Sequence, residues 1–250
     1  LAYFARARAL TRRRFAQVGA MFALGGMQGA LGWFMVKSGL VDVPRVSPYR
    51  LTAHLLLALA IFCGLLWAAL DEARGERARA SVVSPAAWGT SRALLPLALV
   101  TIAWGGFMAG LHAGHVAPSF PTMNGAWVPG GMGALRPGWS NLFENPVAVH
   151  FTHRALAYVT SLVAVGAALS VLLGAAPRAA RVVAAALLAT VALQVTLGAL
   201  TVLSHVPVGL ASWHQGNGAL LLGLSVALLH CTRAGQERDA LTATTSEPPR

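Results

Sequence analysis

Acidic side chains are scarce here: 250 residues carry 8 Asp and Glu against 19 Lys and Arg, a formal charge of +11. Charge of either sign makes up only 11% of the chain, whereas 56% is hydrophobic and the mean hydropathy is +0.62. That shortage excludes an ordinary soluble domain and points to a polytopic membrane protein. Nor does the excess of positive charge indicate a nucleic-acid partner, because the arginines cluster in short segments between apolar stretches. There are two cysteines. Cys63 lies inside one apolar run and Cys231 ends another, so no disulfide framework or thiolate metal site is readable. No signal peptide is read at the start, and the chain opens on Leu1; we expect it to be a fragment.

What is abundant is apolar sequence in long blocks. Six stretches are each long enough to cross a bilayer as a helix of about 20 residues. They lie near 15–37, 50–70, 93–111, 146–174, 182–203 and 211–231. Backbone groups in lipid must bond within their own segment, so the expected class is all-α. Lys and Arg divide unequally between the ends of these stretches. Fourteen fall on one side (Arg6, Arg8, Arg12, Arg13, Arg14, Arg74, Arg77, Arg79, Arg92, Arg178, Arg181, Arg233, Arg238 and Arg250) and four on the other (Lys37, Arg45, Arg50 and Arg136). The positive-inside rule then places both visible ends in the cytoplasm or matrix. The longest outer loop runs from about His112 to Asn145; its Gly, Pro and Trp content suits the membrane surface. The polar tail after Arg233 is expected to be disordered. Gly25 with Gly29, and Gly106 with Gly110, have the spacing that lets two membrane helices approach closely.

Histidine is expensive in lipid, so each histidine inside an apolar stretch is a candidate functional residue. Three qualify: His54, His153 and His214. Pro48 precedes His54 by six residues, Pro146 precedes His153 by seven, and Pro207 precedes His214 by seven. If each proline marks the outer start of its helix, the imidazoles sit about 10 Å below that start. His153 and His214 would lie on helices running the same way, at matched depth, and so face one another across a flat ligand. Heme, with its two opposed nitrogen ligands, fits that arrangement. The competing reading of each histidine is a bond to a neighbouring carbonyl or hydroxyl. Zinc or a di-iron centre is disfavoured, since the helices carry no Asp or Glu at partner positions.

Gln28-Gly29-Ala30-Leu31-Gly32 is followed by His54, and Gln194-Val195-Thr196-Leu197-Gly198 by His214, an internal repeat running in the same direction both times. That disfavours the inverted repeat of many transporters. Arg154, alone among basic residues well inside a stretch, needs an anionic partner such as a heme propionate, or else snorkels to the surface. Lys37, Arg45 and Arg50 are secondary propionate candidates, with interfacial charge as the alternative. His150, one turn before His153, either lines the pocket or sits near the interface. His112 and His115 are expected in solvent, His205 in a short loop and His230 at the inner end of the last stretch. Trp33, Trp104 and Trp213 fit an interfacial belt.

The stretch Gly25-Gly26-Met27-Gln28-Gly29-Ala30-Leu31-Gly32-Trp33-Phe34-Met35-Val36-Lys37-Ser38-Gly39-Leu40, continuing through Pro44 to Arg50 and on to His54, resembles the heme A synthase family. So do Gly106–Leu111, Phe120-Pro121, Phe143-Glu144-Asn145-Pro146 leading to His153-Arg154, and His214-Gln215. The resemblance covers most of residues 15–231 and is closest to the subgroup without cysteine pairs in its outer loops. It implies eight helices in two similar four-helix bundles, of which the first pair is missing or nearly so here. It also implies heme b held between His153 and His214, and a substrate, heme O, held by His54 and by a second histidine beyond this chain. The implied reaction oxidises a methyl group of heme O, through an alcohol, to the formyl group of heme A for cytochrome oxidase. An acidic residue implied to act in catalysis falls in the missing part, and His112 stands where many relatives have Asp. Heme O synthase and cytochrome oxidase assembly factors are the implied partners.

The expected organisation is therefore an incomplete N-terminal substrate-heme half over 1–72, a cytoplasmic linker over 73–92, a C-terminal heme b bundle over 93–232 and a tail over 233–250. The alternative function is a membrane cytochrome b that transfers electrons without modifying heme.

Overall fold

The structure, a computed structural model, describes residues 12–39, 46–74 and 83–245. Its long elements are helices: α1 (Arg12–Gly39), α2 (Pro48–Arg74), α3 (Pro85–Gly110), the short α4 (Asn141–Glu144), α5 (Pro146–Leu173), α6 (Arg178–Leu203) and α7 (Val208–Thr245). Among the described residues five helices, α1, α2, α3, α5 and α6, are long and apolar enough to cross a membrane. The sixth expected stretch, 211–231, is helical within α7 but is interrupted by His214, Gln215 and Asn217. Of these, His214 belongs to the site described below.

Local chemistry fixes the helix starts. Pro48, Pro85 and Pro146 each open a helix, where the missing N–H costs nothing. Asn145 caps α5 by accepting from the backbone N–H of Val147 and Ala148, and its own amide donates to Gly131 O and to Asn141 Oδ1. Pro207, whose carbonyl accepts from Ala211 N, leads into α7. The prolines thus stand at the helix starts that set histidine depth.

Helices α3, α5, α6 and α7 form a four-helix bundle, with α3 on α5 and α7, and α6 on α5 and α7. Its core is built from small residues, among them Ala87, Ala98, Ala164, Ala167, Ala168, Ala180 and Ala184, with Leu94, Leu187, Leu222 and Leu228 between them. In lipid such residues let helices gain close van der Waals contact. Helix α2 lies against α3 and α7, and α1 against α2. At the seam of α2 and α3, a Cβ on Gly106 would meet Thr52 Oγ1 at 2.7 Å, and one on Gly110 would meet Pro48 Cα at 2.6 Å. The expected close approach therefore occurs at this pair; Gly25 and Gly29 have nothing within 4 Å. At the far end of α2, Asp71 accepts from His230 of α7 at 2.9 Å, and Glu72 pairs with Arg14 of α1.

Two boundaries differ from expectation. Helix α3 starts at Pro85 rather than near 93, because Ser84 Oγ accepts from Ala87 N and Pro85 takes the first position. Helix α7 continues to Thr245 where a disordered tail is expected from 233. Ala234, Gln236, Glu237, Arg238, Ala240 and Leu241 are good helix formers and no proline interrupts them. The expected linker 73–92 falls partly on α2 and α3; residues 75–82 lie outside the described set.

Candidate functional site: a pair of facing imidazoles

His153 of α5 and His214 of α7 come together inside the bundle. Their ring centres are 6.5 Å apart, edge to face at 78°. Two metal–imidazole bonds of about 2 Å each, plus the distance from each nitrogen to its ring centre, span roughly that separation. The pair therefore has the spacing of two axial ligands on one metal.

The surroundings hold each ring by one side. His153 Nδ1 lies 3.1 Å from Thr101 O. A carbonyl only accepts, so Nδ1 carries the proton and Nε2 keeps its lone pair. Gly105, one turn after Thr101, leaves that carbonyl reachable: a Cβ there would stand 3.3 Å from His153 Cε1. Thr101 Oγ1 is in turn 2.6 Å from Thr160 Oγ1, tying α3 to α5. His214 faces Gly198 of α6, where a Cβ would stand 2.9 Å from His214 Cε1. Gln194 Nε2 is 3.4 Å from His214 Nε2, and His214 Nδ1 is buried without a partner. A His153 ring nitrogen poised with its lone pair, a His214 ring with one long polar contact at Nε2, and two glycine-lined faces fit a planar metal-bearing group. Among the described residues no three of His, Cys, Asp and Glu converge.

The repeat seen in the sequence is a repeat of geometry. Gln28 Nε2 is 3.2 Å from His54 Nε2 and 3.0 Å from His54 O. A Cβ on Gly32 would stand 3.0 Å from His54 Cε1. His54 Nδ1 and Gln28 Oε1 are buried and unpartnered. The structure does not bring His54 into the pair; it lies against Gln28 and Gly32, between α1 and α2.

Arg154 meets no carboxylate among the described residues. Its five N–H donors are met by His150 Nε2, Pro121 O, Thr122 O, Ala117 O and Ser119 O. It clamps the outer loop onto α5 through His150, which is fully buried. His150 thus supports Arg154, a role the i, i+4 spacing permits but sequence alone does not assign. Lys37 lies over the Trp33 ring and Arg50 over the Phe34 ring; Arg45 falls outside the described residues. His112, His115 and His205 are exposed, as expected. Trp33 and Trp213 are exposed, whereas Trp104 is partly buried. It packs with Phe107 and Phe143, which Tyr49 joins, and its Nε1 is buried without an acceptor. Only the aromatic content of this cluster is visible in sequence; its convergence needs the α2–α3 seam.

An all-α membrane protein with a bis-imidazole site, and a second half-site of the same design, is the class this architecture defines. The family of COX15-CtaA cytochrome oxidase assembly proteins matches residues 1–226, and the chain belongs to it. Among curated relatives it is 44% identical over 216 residues to the heme A synthase of Rhodospirillum centenum, covering 85% of this chain and 57% of that protein. It is 40% identical over 247 residues to the heme A synthase COX15 of Arabidopsis thaliana, covering 92% and 53%. With the heme A synthase of Nitrosospira multiformis it shares 40% over 223 residues, covering 88% and 62%. The chain thus spans from about half to three fifths of the length of these relatives.

Proposed function

We propose that the protein to which this chain belongs is a heme A synthase, converting a methyl group of heme O through an alcohol to the formyl group of heme A. The observation that carries this reading is the facing pair His153 and His214, 6.5 Å apart, echoed by a separate half-site at His54. One site of a repeated design suits a resident heme b and the other an exchanging heme substrate. His153 and His214 hold heme b through their ring nitrogens, with Thr101 O fixing the His153 proton on Nδ1. Bound there, the heme supplies one-electron redox chemistry to the second site. His54, oriented by Gln28, holds heme O in the N-terminal half. Arg154 and His150 fix the outer loop beside the heme b site, and a propionate would reach Arg154 only by displacing one of its carbonyls.

In this reading residues 1–72 belong to the substrate half and 93–232 to the heme b half. Both ends of the chain face the cytoplasm or matrix, as the arginine asymmetry requires. The protein sits in a bacterial plasma membrane or mitochondrial inner membrane, receives heme O from its synthase and serves cytochrome oxidase assembly.

The test is expression of the full-length protein in cells that make heme O but no heme A. Heme A in the extracted hemes supports the synthase. Unchanged heme O beside an intact bis-histidine spectrum supports instead a membrane cytochrome b.

A further inference from the structure

His214 is addressed by a chain of hydrogen bonds that begins one helical turn away. Asn217 Nδ2 donates to Thr190 O at 3.0 Å and to Gln194 Oε1 at 2.7 Å. Gln194 Nε2 then points at His214 Nε2 at 3.4 Å. Asn217 is buried on α7, one turn after His214 itself, while Thr190 and Gln194 lie one turn apart on α6. A Cβ on Gly218 would stand 3.3 Å from Gln194 Nε2, so the amide is held on that side as well.

The direction of this chain has a chemical consequence. A helix carbonyl only accepts, so Thr190 O obliges Asn217 to present its NH2 end. Asn217 then obliges Gln194 to present its oxygen, leaving the Gln194 NH2 facing the imidazole. A ring nitrogen beside an N–H donor must offer its lone pair. His214 Nδ1 is buried without a hydrogen-bond partner, and the Gln194 backbone carbonyl also acts on the ring; among the side-chain contacts, the one at Nε2 sets the tautomer. A flipped Gln194 would put a carbonyl there and fix the proton on Nε2, where it blocks a metal. Thr101 O imposes the same Nδ1–H form on His153.

We propose that Asn217 is a positioning residue that, through Gln194, keeps the lone pair of His214 on Nε2 and so readies it as a metal ligand. The 3.4 Å contact is at the long end for a hydrogen bond and is readily given up to a metal. The inference goes beyond the heme reading above and rests on it only for the identity of the ligand. In the N-terminal half-site Leu57 stands three residues after His54, where Asn217 stands after His214. There Gln28 is oriented by His54 O instead, and its own oxygen is unpartnered.

The test reads the tautomer directly. Full-length protein with 15N-labelled histidine is prepared without heme, and His214 is assigned by the signal lost in H214A. The wild type is expected to show Nδ1–H. Asn217→Asp, nearly isosteric and buried as the neutral acid, has one O–H, which goes to Thr190 O; its other oxygen accepts from Gln194, so it should turn Gln194 round and give Nε2–H. Should that variant fail to fold, Gln194→Met removes the directing amide and should give a mixture of tautomers. Heme loss to excess apomyoglobin, measured on heme-loaded protein from cells that make no heme O, is expected to quicken by about 10-fold or more in N217D. It should quicken less in Asn217→Leu, which removes the donor without reversing the amide. Nε2–H in the wild type, an unchanged tautomer in both N217D and Q194M, or faster loss from N217L than from N217D overturns the proposal. A wild type that binds no heme at His153 and His214 overturns the heme reading and leaves the tautomer measurement standing.

Discussion

Gln28 Nε2 stands 3.2 Å from His54 Nε2, each residue on its own helix of the α1–α2 hairpin. Gln194 and His214 repeat that relationship on α6 and α7 at 3.4 Å, and in both hairpins a glycine four residues after the glutamine faces the imidazole. The duplication is thus one of site design, with glutamine as the polar contact and glycine as the space for the ring.

That space should be intolerant of a methyl group. Gly198→Ala places a Cβ 2.9 Å from His214 Cε1, too close for any side-chain contact. The ring is held by Gln194, so relief must come from displacing it. We expect a loss of about 1–3 kcal/mol in stability or ligand retention, read as reduced heme per folded protein. Gly166→Ala is the control: nothing lies within 4 Å, and helix propensity favours alanine there by up to about 1 kcal/mol.

Gly110→Ala tests the seam of the two halves. Its Cβ would lie 2.6 Å from Pro48 Cα, and backbone does not step aside as a side chain tip does. Thermal unfolding in detergent should show destabilisation of about 1–3 kcal/mol, with the Tyr49–Phe107 ring contact beside it weakened. An unchanged midpoint would contradict the packing at this seam.

Arg154→Lys keeps the charge and removes the planar fork that reaches four carbonyls between Ala117 and Thr122. Hydrogen exchange over residues 116–124 is expected to rise in this variant by the equivalent of about 2 kcal/mol or more, with bundle helices α6 and α7 unaffected. Equal exchange in wild type and variant would remove Arg154 from the loop.

Trp127 and Trp139 are exposed on the loop between α3 and α5. Single cysteines placed at these positions, in a background lacking Cys63 and Cys231, should react with a membrane-impermeant maleimide from outside the cytoplasm. Labelling only from the cytoplasmic side would reverse the orientation drawn from arginine.

Much of this was legible in the chain. Length and hydropathy give the helices, and proline positions give their starts, because a residue without an N–H fits the first helical turn. The depth match of His153 and His214 follows from counting, and their meeting needed only a bundle. Other features depend on tertiary approach. Arg154 reads as a cation seeking an anion; carbonyls of a loop more than thirty residues earlier satisfy it instead, and sequence shows no carbonyl directions. The Asn217–Gln194 chain escapes for a similar reason, since Thr190 O is backbone. Helix α3 began earlier than its apolar stretch because Ser84 and Pro85 cap it ahead of the hydrophobic run.

In the proposed function the two sites of one design do different work. His54→Ala in the full-length protein, expressed in cells that make heme O, separates them in one measurement: extracted hemes by chromatography, with heme b quantified on the purified protein. The expected result is heme A largely abolished with heme b still bound at His153 and His214. Normal heme A output at normal protein level would contradict the substrate role of His54, and loss of heme b with His54 would contradict the independence of the two sites.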